Sequence, residues 1–151
     1  MLIKAPLRGT DTFGSGAYHA PRGSRLHRGL DYACSPWSVI YAPVTGTVHK
    51  IGYPYAQQTD RAMNAVDAAK FEAKKAYRYV DVLANGRHHR VFYISPLVAV
   101  GDEVFGGVTE LGTAQPLSRT YGPRMTPHIH YEILTYEGGK KVDHDPADYM
   151  T

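Results

Sequence analysis

The segment His128-Ile-His-Tyr-Glu-Ile-Leu-Thr-Tyr136 constrains the fold of this chain more than any other. Side chains two residues apart on a strand share a face. Read as a strand, the segment turns Ile129, Tyr131 and Ile133 into a core. His128, His130 and Glu132 then project together on the opposite face. Neighbouring imidazoles repel once protonated, so placing them side by side needs a reason. A bound metal is one reason, and one ligand beside one base is another.

Other segments repeat the β pattern. Residues 77–84 and 88–95 are β-branched and aromatic, and Asn85-Gly86 between them is a strong two-residue hairpin signal. "SVIYAP" and "GTVHKIG" read as short strands, a weaker one lies near 108–113, and Gly138-Gly139 reverses the chain after the histidine strand. The closing "DPADYM" reads as a turn or short helical cap. Fifteen Gly, 10 Pro and 12 Tyr suit turns and strands better than a helix bundle. Residues 1–26 look like an N-terminal loop region.

One stretch breaks the pattern. Residues 59–76, "TDRAMNAVDAAKFEAKKA", are rich in Ala and free of Gly and Pro, with Thr59 or Asp60 as N-cap. The pairs Asp67–Lys70 and Glu72–Lys75 sit at helical spacing. The expected architecture is a single domain over 1–151, mainly β, with one inserted helix. That helix is either a surface excursion or a wall beside a groove.

Charge and cysteine usage exclude several classes. A net charge of +3 without a concentrated stripe argues against a nucleic-acid partner, and "NGRHHR" (85–90) reads as a solvated hairpin tip. The single Cys34 permits no internal disulfide and reads as a small buried residue. No apolar run approaches the ~18 residues of a membrane span, and "MLIKAPLRGT" shows no export signal. A soluble chain is expected.

The early segment "HRGLD" supplies an imidazole and a carboxylate, His27 and Asp31. Zinc takes imidazole nitrogen and carboxylate oxygen, and catalytic sites use three protein ligands plus water. His27, Asp31 and one histidine of the later pair make that number. The other histidine is left to act on bound water. With one cysteine, a thiolate cage is not an alternative.

The order "FG…G…HRGLD", "YAPVTGTV", "VGDEV…G…LGTA", "PHIHYEI" and a closing "DP…Y" resembles the lysostaphin/LytM-type zinc endopeptidases, from Phe13 to Tyr149 apart from the 59–76 insertion. The resemblance implies a compact antiparallel β-sheet lining a groove. It implies one zinc ion on His27, Asp31 and His130, with His128 as the catalytic histidine. It also implies the peptide of peptidoglycan as substrate.

The same resemblance exposes a departure. Family members with activity carry a further histidine in a Tyr-Ala-His-Leu-like stretch, and in "FYISPLVAVGDEV" Ser95 stands at that position, followed by Pro96. A serine hydroxyl cannot become cationic near neutral pH. "FYISP", "DYACS" and the stretch before His128 are similar to the branch that contains leukocyte cell-derived chemotaxin-2 and related bacterial and phage sequences. The animal member of that branch lacks the usual histidine and serves as a binding protein.

Two expectations follow. The first is a zinc endopeptidase cutting peptidoglycan peptide bonds, carried in a phage virion with tail proteins as partners, or released at lysis to the periplasm or cell wall. The second is a zinc-stabilised module that grips peptidoglycan or a protein without cutting. Among the remaining histidines, His19 lies in a loop able to fold over a groove, and His144 reads as a surface residue.

Overall fold

The computed structural model describes residues 8–11, 14–22, 25–55 and 65–149. Its main sheet is antiparallel, in the order Glu103–Val104, Gly46–Gly52, Tyr79–Ala84, Arg87–Phe92, His128–Glu137 and Lys140–His144. A further strand, Leu30–Ala33, pairs with the first half of His128–Glu137, whose second half pairs with Lys140–His144. The long histidine strand is therefore bonded along its length and sits inside the sheet. The hairpin at Asn85-Gly86 forms as expected, with φ of 50° and 75° at its two turn residues.

The expected strand over 88–95 is interrupted. Tyr93 adopts φ 68°, ending one strand at Phe92, and Ile94–Pro96 then joins a second, smaller sheet with Glu110–Ala114 and Val39–Tyr41. The two sheets enclose the core. Ile40, Ile94, Leu111 and Ala114 from the small sheet share one buried cluster with Val48, Val80, Val82, Val91, Ile129, Tyr131 and Ile133 from the large one. Burying each of the larger aliphatic side chains stabilises the fold by roughly 1.5–3 kcal/mol relative to exposure. The opposite face of the large sheet is free to carry chemistry.

The inserted helix is present as Ala65–Lys75, and it lies against the short helix Ser118–Tyr121. Glu72 and Lys75 meet at 3.4 Å. Residues 59–64, with the N-cap expected at Thr59 or Asp60, and the Asp67 side chain lie outside the description. Of the expected loop region 1–26, residues 1–7, 12–13 and 23–24 lie outside the described residues, and the rest includes two short antiparallel pairs. Thr10–Asp11 pairs with Gly14–Ser15, and Pro21–Arg22 with Arg25–Leu26. The basic hairpin tip is also narrower than expected. Asn85 and Gly86 are exposed, but His89 is buried on the core side with its Nδ1 2.6 Å from the Tyr131 hydroxyl. Among the described residues no helix is long and apolar enough to cross a membrane.

Candidate metal centre

Strand parity holds along the histidine strand: Ile129, Tyr131 and Ile133 are fully buried in the core, while His128, His130 and Glu132 share the other face. Asp31 lies directly across from His130 in the register between Leu30–Ala33 and His128–Tyr131. Gly29 makes this approach feasible. A Cβ at Gly29 would lie 2.1 Å from the Tyr131 carbonyl oxygen, so a side chain there would drive the two segments apart. The glycine inside "HRGLD" therefore permits the docking of the segment whose ends are His27 and Asp31.

Three ligand-type atoms converge. His130 Nδ1 lies 2.8 Å from both Asp31 Oδ1 and His27 Nε2, and His27 Nε2 lies 3.1 Å from Asp31 Oδ1. All three residues are buried. The outward nitrogens show which way the lone pairs point. His27 Nδ1 donates to the Ala17 carbonyl at 2.8 Å, since a carbonyl can only accept, and this leaves Nε2 bare in the neutral ring. His130 Nε2 donates to Glu132 Oε1 at 2.9 Å, leaving Nδ1 bare. Two imidazole lone pairs and a carboxylate oxygen thus face one another, an arrangement that needs a cation at its centre. A metal-bound imidazole held from behind by a carbonyl or a carboxylate is the usual outer-shell pattern of such sites. Tetrahedral zinc with bonds of about 2.0–2.1 Å spaces its ligand atoms ~3.3 Å apart. The observed spacings need only a few tenths of an ångström of opening, so the donor set fits that ion.

The electrostatics agree. Burial alone would raise Asp31, yet hydrogen bonds to His130 and His27 hold its carboxyl well below the usual carboxylate range. Burial would lower His130, but hydrogen bonds to Asp31 and Glu132 outweigh it and push the imidazole up to about 9. Glu132 is held below its ordinary value: burial opposes this and the His130 contact prevails. His128 behaves differently. Burial lowers it, against the attraction of Asp31. Its Nδ1 donates to the Thr126 carbonyl at 2.7 Å, which leaves Nε2 bare and 3.5 Å from Asp31 Oδ2. His128 is thus a neutral base facing the centre, a residue suited to proton transfer.

A cleft opens over this group, lined also by Arg8, Arg28, Tyr55, Lys74, Tyr93 and Tyr121. Lys74 belongs to the inserted helix, so the helix contributes to a wall of the groove.

The chain matches no protein-family model. It is 33% identical over 126 residues to mouse leukocyte cell-derived chemotaxin-2, covering 83% of this chain and 72% of that protein. It is 30% identical over 135 residues to an uncharacterized metalloprotease of Haemophilus influenzae, covering 87% of this chain and 23% of that one. In fold it is similar to the catalytic domain of the prophage-encoded M23 protein EnpA from Enterococcus faecalis, at 20% identity and a TM-score of 0.57 over 95% of each chain. The chain belongs to the lysostaphin/LytM-type (M23) metallopeptidase family.

The residue that the fold brings beside His128 is not Ser95. Ser95 lies in the second sheet, paired with Thr113, and does not line the cleft. The left-handed backbone at Tyr93 shifts the chain, so the side chain brought beside His128 is Tyr93, with ring centroids 5.7 Å apart at 85°. Positive φ is unusual for a bulky residue and gives no signal in composition. The Tyr93 hydroxyl lies 2.9 Å from that of Tyr55. Burial, with further contributions from neighbouring tyrosines and Asp31, pushes the Tyr93 phenol well above its ordinary value, so it stays a protonated donor.

The remaining tyrosines, histidines and the cysteine sort out by position. Tyr55 and Tyr121 line the cleft, whereas Tyr32 and Tyr131 are core residues. His19 does not line the cleft and pairs with Asp143 at 2.9 Å. His144 bonds Thr135 at 2.8 Å and is half-buried. Cys34 is half-buried against the core, and burial raises its thiol to about 11. Sequence reasoning missed Arg8 altogether, although it is buried against Asp31. The only trace of it was an arginine and an aspartate three apart in a stretch of small residues.

Proposed function

We propose that this chain is a zinc metalloendopeptidase that hydrolyses peptide bonds of peptidoglycan. The convergence of His27 Nε2, Asp31 Oδ1 and His130 Nδ1 beside the bare Nε2 of His128 carries the reading. His27, Asp31 and His130 would hold one zinc ion, which when bound supplies a Lewis acid and lowers the pKa of water towards ~7. His128 takes the water proton on Nε2 and returns it to the leaving amine, while Thr126 holds the ring through Nδ1. Tyr93 is the donor placed to stabilise negative charge on the scissile carbonyl oxygen. The groove walls orient an extended peptide across the sheet.

A second reading, a zinc-stabilised module that binds peptidoglycan or a protein without cutting, is favoured by one observation. Among the described residues, the cleft contains no histidine besides the two ligand candidates and His128. Purified peptidoglycan incubated with the zinc-loaded chain separates the two. Soluble peptide fragments that disappear with His128→Ala support the peptidase. Zinc-loaded protein that pellets with cell wall and releases no fragment supports the binding module. A phage virion or lysis setting is part of the same proposal. It is tested by looking for the chain in purified particles, and its presence only as a free host protein counts against that setting.

A further inference from the structure

We propose that Arg8 and Asp11 form a positioning pair that fixes the carboxylate ligand and the candidate base of the metal centre together. This deepens the peptidase reading and rests on its site. The Arg8 side chain is 2% exposed. Its Nη1 donates to Asp31 Oδ2 at 2.8 Å, and its Nε and Nη2 donate to the two oxygens of Asp11 at 3.1 and 2.5 Å. Nη2 also donates to the Gly14 carbonyl at 3.2 Å. Asp11 Oδ2 accepts from the Thr126 backbone N–H at 2.9 Å, and the Thr126 carbonyl holds His128 Nδ1. One continuous chain of hydrogen bonds thus runs from Asp31 through Arg8, Asp11 and Thr126 to His128.

The backbone reinforces this chain. Arg8 N donates to the Asp31 carbonyl at 2.8 Å, and Asp31 N donates to the Gly16 carbonyl at 2.9 Å. A Cβ at Gly16 would lie 2.7 Å from Arg8 Cβ and 3.0 Å from Asp31 Cβ, so the close fit of these segments requires a residue without a side chain.

Two physical consequences follow. Arg8 occupies Oδ2 of Asp31, which selects Oδ1 as the oxygen that faces His27 and His130 and disfavours bidentate coordination. Asp11 neutralises the guanidinium with a two-oxygen fork. Asp31 is oriented by a cation, yet the pair adds no net charge beside a site built for a dication. A lysine at position 8 would keep the charge but lose the fork.

The test is zinc affinity, measured by chelator competition on the full chain. Outer-shell partners of metal ligands typically contribute 10–100-fold. Arg8→Ala and Asp11→Asn are expected to weaken zinc binding at least about tenfold, with Arg8→Lys recovering part of the loss. At saturating zinc, Asp11→Asn is expected to lower kcat with little change in KM, and to shift the imidazole 15N resonances of His128. Arg8→Lys and Asp11→Asn keep the test open if Arg8→Ala does not fold. Tight wild-type binding matched within about threefold by all three variants overturns the positioning pair alone. A wild-type chain that retains no zinc overturns the site beneath it. Weakened zinc binding in a chain that never cuts peptide leaves the pair standing and removes the peptidase reading.

Discussion

The two faces of the His128–Glu137 strand obey different physics. On one face, Ile129 and Ile133 are 0% exposed and held by non-directional apolar contact, and Tyr131 adds one hydrogen bond from its hydroxyl to His89. On the other, His128, His130 and Glu132 are nearly as buried, yet each is fixed by a named partner at hydrogen-bond distance. Buried polar groups are tolerated only when paired. The aliphatic positions of the core face therefore set stability and tolerate apolar side chains of similar volume, whereas the site face sets chemistry and tolerates almost no change of atom type. Removing a side chain from each face should separate the two.

The largest effect is expected from His128→Ala. Loss of a positioned proton-transfer group commonly reduces rate by about 10²–10⁴, and zinc content should be unchanged. An assay of fragment release beside metal analysis checks both halves. Ile133→Ala, the next residue but four along the same strand, should do the reverse. Deleting a buried isoleucine side chain costs about 2–5 kcal/mol, read as a lower denaturation midpoint, with the zinc affinity of the folded fraction preserved. If Ile133→Ala instead releases the metal while stability holds, the division between faces is wrong.

Tyr93→Phe probes the boundary between the faces, where the strand breaks to enter the second sheet. It removes the hydroxyl and keeps the ring against His128. A loss of about 10²–10³ in kcat is expected if the hydroxyl stabilises a developing oxyanion. Unchanged turnover would assign Tyr93 to packing.

The smallest effect concerns His89, a titratable group on the core face. Burial pushes it down to about 4, so the folded chain keeps it neutral. Unfolding returns it towards ~6.5. Between those values the unfolded chain binds more protons, and stability must fall as pH falls from about 6.5 to about 4. Above that window His89 contributes no pH dependence. Denaturation midpoints at pH 7 and pH 5 should therefore converge in His89→Gln relative to the wild type. Equal slopes in both proteins would contradict the burial.

Much of this was legible in the sequence because it is local. Period-two alternation placed His128 and His130 on one face, and Asn85-Gly86 announced its hairpin. The spacing of His27 and Asp31 pointed to one site, though only pairing with the distant histidine strand brings it to His130. The missed features are those that depend on tertiary context. Nothing in "FYISP" signals that Tyr93 turns left-handed, so Ser95 looked like the cleft residue until the break moved it to the second sheet. Arg8 owes its burial to an aspartate far along the chain and to the small residue at Gly16. His88 and His89 looked like a solvated pair because basic residues beside a turn usually are, yet Tyr131 gives His89 a buried partner.

The central claim is that His27, Asp31 and His130 jointly hold one divalent cation. The most direct measurement is zinc stoichiometry after chelator treatment and reloading, for the wild type and for Asp31→Ala and His130→Ala. The account predicts one zinc per wild-type chain and none retained by either variant. A folded wild-type chain that retains no zinc, or variants that keep it at full stoichiometry, would contradict it.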